Sequence, residues 1–108
     1  MGKTINFNYN DKEYTLEFTR KSIAKMEDRG FIASEISSKP MSTLPQLFAG
    51  AFLAHHPFEK VDIINEIYNL FPDKEALIGK LSDMYTDTFE TLFDEPNPKN
   101  AIKWSASF

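Results

Sequence analysis

TLPQLFAGAFLAHHPF, residues 43–58, sits inside an uncharged run that extends from Pro40 to Phe58 and ends in the chain's two histidines. Leu44, Leu47, Phe48, Ala51, Phe52 and His55 recur every three or four positions, which is one face of an α-helix. Thr43 and Gln46 have capping-box spacing, and Pro45 falls in the first turn, where its missing N–H costs nothing. Pro57 ends the pattern. About a dozen helical residues span about 18 Å at 1.5 Å each, well short of a bilayer's hydrocarbon core of about 30 Å. The run therefore predicts a buried central helix, with His55 closing its core face and His56 in solvent near its C-terminus.

Reading outward toward the N-terminus, Ile5, Phe7 and Tyr9 alternate with asparagines, and Tyr14, Leu16 and Phe18 alternate with Thr15, Glu17 and Thr19. Two period-2 runs around Asn10-Asp11 predict a β-hairpin with one apolar face. A lone hairpin is marginal in water, so that face must pack on helices. Thr19 is placed to cap a helix over 20–29 that Gly30 ends. Lys21, Lys25 and Arg29 form a basic stripe on it, read as a solvated face or an anion patch. Residues 31–40 predict one further turn and a loop stopped by Pro40.

Toward the C-terminus, a third helix is expected from about Glu59 to Leu70, with Val61, Ile64, Ile67, Tyr68 and Phe71 on one side and Pro72 as its stop. Asp73 caps a fourth, with Leu77, Ile78, Leu81, Met84 and Tyr85 inward. Asp87 and Glu90 resemble another capping box, so this helix breaks near Thr86 or continues to Phe93; both fit the period, and the break is preferred. The segment 94–100 has two prolines and no period. After it, Ile102, Trp104, Ala106 and Phe108 alternate with Lys103, Ser105 and Ser107. The expected fold is α+β: an N-terminal hairpin on a bundle of about four helices, one domain over 1–95 and an extended tail over 96–108.

Composition narrows function. A chain of 108 residues supports a single core, and 42% hydrophobic content with ten phenylalanines is globular. The absence of cysteine removes disulfides, thiolate metal sites and cysteine nucleophiles, and suits a reducing cytoplasm. MGKTINFNYN has no apolar secretory core and lacks the Ser or Thr of a myristoylation signal. Net charge is −4, but residues 58–95 carry ten acidic and three basic groups, a local −7. Such a surface repels phosphate, so nucleic acid is not expected as a partner, and the shortness of the uncharged helix leaves no membrane expected either.

No chemistry emerges. Adjacent histidines project about 100° apart on a helix, and neither the metalloprotease spacing nor further soft ligands exist. Gly2, Gly30, Gly50 and Gly79 cannot build a phosphate loop, and no nucleophile elbow occurs. We therefore expect no catalytic residue, metal or cofactor. Gly50 and Gly79, inside helices, suggest close approach of a neighbouring helix or a shallow groove for a partner's. Exposed aromatic residues in the tail would find no energetic return in water. That segment adds a strand to its own hairpin, docks on its own helices, or pairs with another subunit or partner by strand addition. The candidate protein-binding residues are Ile102, Trp104 and Phe108, with Phe48 and Phe52 only if the central helix is partly exposed.

The chain resembles the small tail assembly chaperones of long-tailed phages and prophages of Gram-positive bacteria. The resemblance covers nearly its whole length: INFNYNDKEYTLEFTRKSI (5–23), KMEDRGFIASEISSKP (25–40), LPQLFAGAFLAHH (44–56), the helix before LFP (70–72), and FDEP with KW at the end. It implies a non-enzymatic protein of the host bacterial cytoplasm. Such a protein coats the helical tape measure protein, keeps it soluble and helps tail tube protein polymerise. The family often self-associates and in many phages has a longer frameshifted form. An apolar groove with an acidic rim would suit such a helix. The alternative is a small phage-encoded adaptor or regulator that binds a host protein through the basic 20–29 helix.

Overall fold

The computed structural model describes residues 3–107. The alternating runs close an antiparallel hairpin of β1 (Ile5–Tyr9) and β2 (Lys12–Leu16), with Ile5 opposite Leu16 and Tyr9 opposite Lys12. Asn10 and Asp11 both adopt left-handed backbone, φ 50° and 61°, which a two-residue hairpin turn needs and these side chains tolerate. Tyr14, Leu16 and then Phe18 are buried, while Ile5, Phe7 and Tyr9 pack half-buried beside them. The hairpin thus lays one face on the helices, and the fold is α+β.

Helix α1 (Arg20–Asp28) begins as expected. The Ser22 N–H donates to Thr19 Oγ1 at 3.0 Å and the Thr19 N–H donates to Ser22 Oγ at 2.9 Å, a reciprocal cap. At its other end Gly30 takes φ 94°, and the N–H groups of Gly30 and Phe31 donate to the Glu27 and Met26 carbonyls, a Schellman closure. One 3-10 turn, Ala33–Glu35, follows.

Helix α2 runs Pro40–Gly50, which shifts both expected ends. Pro40 starts the helix and does not stop the preceding segment, because a proline at the first position forfeits only an N–H that is unpaired there anyway. Thr43 is consequently interior; its hydroxyl donates to the Glu35 carbonyl at 3.4 Å and no capping box with Gln46 forms. The helix ends well before Pro57 because the Ala51 carbonyl accepts the Glu17 N–H, at 3.0 Å, as the chain leaves β2. Residues 51–55 continue as successive turns, buried as far as Leu53.

Helix α3 (Val61–Leu70) buries Ile64 and Ile67, whereas Val61 is exposed. Asp73 caps α4 (Lys74–Glu90) by accepting the Ala76 N–H at 3.3 Å. The preferred break near Thr86 does not occur: α4 is continuous and passes into a 3-10 turn at Thr91–Phe93. Its supposed second cap is used otherwise. Asp87 Oδ2 pairs with Lys3 Nζ at 2.6 Å, and the Thr88 hydroxyl lies 3.0 Å from both the Met84 and Phe18 carbonyls. Helix α2 lies at the centre, touching α1, α3 and α4, and Leu16, Leu47, Phe48, Phe52 and Leu81 are the largest wholly buried side chains. Residues 94–107 leave the body without strand structure, exposed throughout.

Candidate protein-binding surfaces

The two histidines exchange the places assigned from helical spacing, since α2 ends before reaching them. His55 is the exposed ring, its Nε2 2.6 Å from Glu17 Oε1. His56 packs against Tyr14 and Phe52, with ring centroids 4.9 and 6.4 Å away, and its Nε2 accepts the Thr15 N–H at 3.1 Å. Burial, followed by Lys12 and His55, lowers the His56 pKa, against a smaller opposing pull from Glu59. Next to it the Tyr14 hydroxyl donates to Glu59 Oε1 at 2.7 Å, and Lys12 Nζ donates to the same oxygen at 3.1 Å. Burial and that carboxylate push the Tyr14 phenol up to about 12, so it stays a donor; the phenol in turn leads the effects that depress Glu59. These pairs lock β2 to the 55–60 segment. Among the described residues, no cluster of three or more His, Asp or Glu side chains is placed to hold a metal ion.

A different region presents apolar surface. An open groove of about 600 Å3 runs between residues 31–34 and the C-terminal part of α4, lined by Phe31, Ile32, Ala33, Tyr85 and Phe89, with Glu27 among its walls. Tyr85, Phe89, Leu92 and Phe93 lie at i, i+4, i+7 and i+8, one stripe that continues through the 3-10 turn. Tyr85 anchors the stripe by edge-on packing against Phe18 and Phe31. Beyond the Thr88 tie to Phe18 the stripe is uncovered: Phe89 is 46% exposed, Leu92 56%, Phe93 73% and the facing Ile32 51%. The Phe89 and Phe93 rings lie 6.2 Å apart, extending the groove's floor. Burial and then the Glu27 carboxylate raise the Tyr85 phenol's pKa, and Glu27 is the charged side chain in the groove's lining.

The residues singled out from sequence divide sharply. Phe48 and Phe52 are only 1% exposed, stacked edge-on at 5.2 Å, so the condition attached to them is not met and they are core. Ile102 and Trp104 are 86% and 82% exposed, and Phe108 lies outside the described residues. Gly50 faces α1: a Cβ built there would lie 2.4 Å from Met26 Sδ, so a close neighbour and no partner groove explains it. At Gly79 no neighbouring element comes within 4 Å of the Cβ position, so close approach of a helix in this chain does not explain it. Sequence reasoning missed Ile32, Phe89, Leu92 and Phe93, although the i, i+3, i+4 spacing of the last three was the signal available.

Among the described residues, no helix is long and apolar enough to cross a membrane. No curated protein and no solved structure matches the chain. A family model does: across residues 1–108, hairpin, helices and tail together, the chain belongs to the family described as Domain of unknown function (DUF5055).

Proposed function

We propose that the protein is a phage tail assembly chaperone that holds an amphipathic helix of the tape measure protein, without catalysis, in the host bacterial cytoplasm. In this role it keeps that protein soluble while tail tube subunits add around it. The observation that carries the reading is the groove of Phe31, Ile32, Tyr85 and Phe89, prolonged by Leu92 and Phe93. A groove walled by helical segments accepts the apolar face of another helix, read as anchors at i, i+3, i+4 and i+7. Contiguous exposed aromatic surface marks interaction sites in folded proteins. Glu27 and the −7 balance over residues 58–95, ten acidic less three basic, suit a client whose apolar stripe is flanked by lysine or arginine.

Co-expression with a tape measure fragment tests this. The wild-type chain is expected to move the fragment into the soluble fraction. Phe89→Glu, placed on an exposed position of α4, should weaken the complex roughly tenfold or more while its circular dichroism stays helical. A fragment that pellets equally with and without the chain overturns the reading. The exposed Lys21, Lys25 and Arg29 stripe on α1 favours the adaptor reading instead. That reading gains if reversing those charges abolishes capture of a host protein while Phe89→Glu does not.

A further inference from the structure

The hairpin's two outer edges differ. Antiparallel pairing directs the N–H and C=O of every second residue away from the partner strand. On β2 this edge is covered toward its C-terminal end: the Thr15 N–H donates to His56 Nε2 and, just past the strand, the Glu17 N–H donates to the Ala51 carbonyl. Thr15 pairs with Asn6 and Glu13 with Asn8, so Asn6 and Asn8 are the corresponding outward residues on β1. Among the described residues, neither finds a backbone partner on that side, and the sheet has two strands only. An open edge is a template for another strand. Beside it, between β1 and the end of α3, lies a mostly apolar pocket of about 200 Å3 lined by Phe7, Tyr9, Ile67, Leu70, Phe71 and Pro72, with Asn8 at its β1 side. Leu70 on its wall is 66% exposed.

We infer that residues 101–107 of one chain add as a third strand to the β1 edge of a second copy, seating Trp104 in the pocket formed by Phe7, Tyr9, Leu70 and Phe71. The pleats agree. Ile102, Trp104 and Ala106 would continue the inner face of Ile5, Phe7 and Tyr9, while Lys103 and Ser105 would join Asn6 and Asn8 in solvent. The pocket has the size and apolar lining for one large aromatic ring. A second copy is the occupant because the tail stands off its own body. The radius of gyration is 16.5 Å, where a compact chain of this length has about 13 Å. The molecule extends 54 Å along its long axis against 33 and 25 Å across. Reciprocal exchange of tails gives a closed two-fold dimer in which both edges are covered. This inference concerns how copies meet and stands apart from the chaperone reading.

Trp104 is the chain's single tryptophan, so its fluorescence reports on the joint directly. Emission from the full-length chain is expected to shift to the blue as concentration rises, in step with dimer formation in sedimentation equilibrium. Trp104→Ser, on the exposed tail, should raise the dimer dissociation constant roughly thirtyfold, the loss typical of a buried aromatic anchor. Asn8→Pro removes an outward N–H without touching β1–β2 pairing, and Leu70→Glu alters only the pocket wall; each should have a similar effect. Mixing Trp104→Ser with Leu70→Glu chains should restore one tail–edge joint and so recover heterodimer. A monomer whose emission stays solvent-like at every concentration overturns the inference. So does a monomer whose emission is blue-shifted independently of concentration, since its tail would then dock at home.

Discussion

Met26 occupies the space that a side chain at Gly50 would need, with its Sδ 2.4 Å from the Cβ position. Gly50→Ala is therefore expected to cost about 1–3 kcal/mol, the usual range for overpacking a core. The lower end is favoured because Met26 borders a cavity of about 160 Å3 into which it can shift. Gly79→Ala goes the other way. It meets nothing within 4 Å on an exposed turn of α4, so it should gain up to about 1 kcal/mol and raise the melting temperature by a few degrees. Thermal melts of the two variants check both signs. His56 gives a pH signature. Its pKa falls below the ordinary 6.5 in the fold, so the neutral ring's contribution is complete above about pH 6.5 and disappears as pH drops through the lowered value. Glu59, also depressed, is lost only in stronger acid, below 4.5. The melting temperature should decline from about pH 6.5 downward, and His56→Gln, whose amide oxygen can still accept the Thr15 N–H, should flatten that limb. A wild-type curve flat to pH 5 would remove the ring from the account.

Elements whose boundaries are set by local chemistry were readable in the sequence. The hairpin follows from strict alternation around Asn10-Asp11, and α1 from Thr19 and Gly30, all within a few residues of the bonds they make. Boundaries set by distant partners were not readable. Glu17 decides where α2 ends by donating to the Ala51 carbonyl, and that early end is what reverses the two imidazoles. Lys3 occupies Asp87, and Phe18 holds Thr88, so a local motif that promises a helix start yields a continuous α4. Of the candidate binding residues, Ile102 and Trp104 lie exposed on the segment that the prolines at 96 and 98 set off from the helices. The groove needed residues 31–34 and 85–93 brought side by side, which no local pattern specifies. The tail's independence has a direct check. At concentrations where the full-length chain is monomeric, deleting residues 97–108 should leave helical circular dichroism and melting temperature essentially unchanged, because residues 94–107 are exposed throughout. A truncated chain that melts markedly earlier would show the tail to be part of its own core.

At the scale of the molecule, charge and apolar surface are distributed along an elongated particle. The hairpin and central helix supply rigidity, with Leu16 and Leu47 wholly buried. Exposed apolar groups include Phe89, Leu92 and Phe93 toward the end of α4 and Ile102 and Trp104 along the tail, beside single ones at Met41, Phe58, Val61 and Leu70. That separation lets one region meet a client while another meets a sister chain, so the two contacts need not compete. The particle's length carries a numerical corollary for the proposed role. A helix rises 1.5 Å per residue, so one chain, 54 Å along its longest axis, would sheathe at most roughly 36 residues of a rod-like client. Demand for this protein would then scale linearly with the ruler it wraps, and a phage with a longer tail would have to synthesise proportionately more copies per particle.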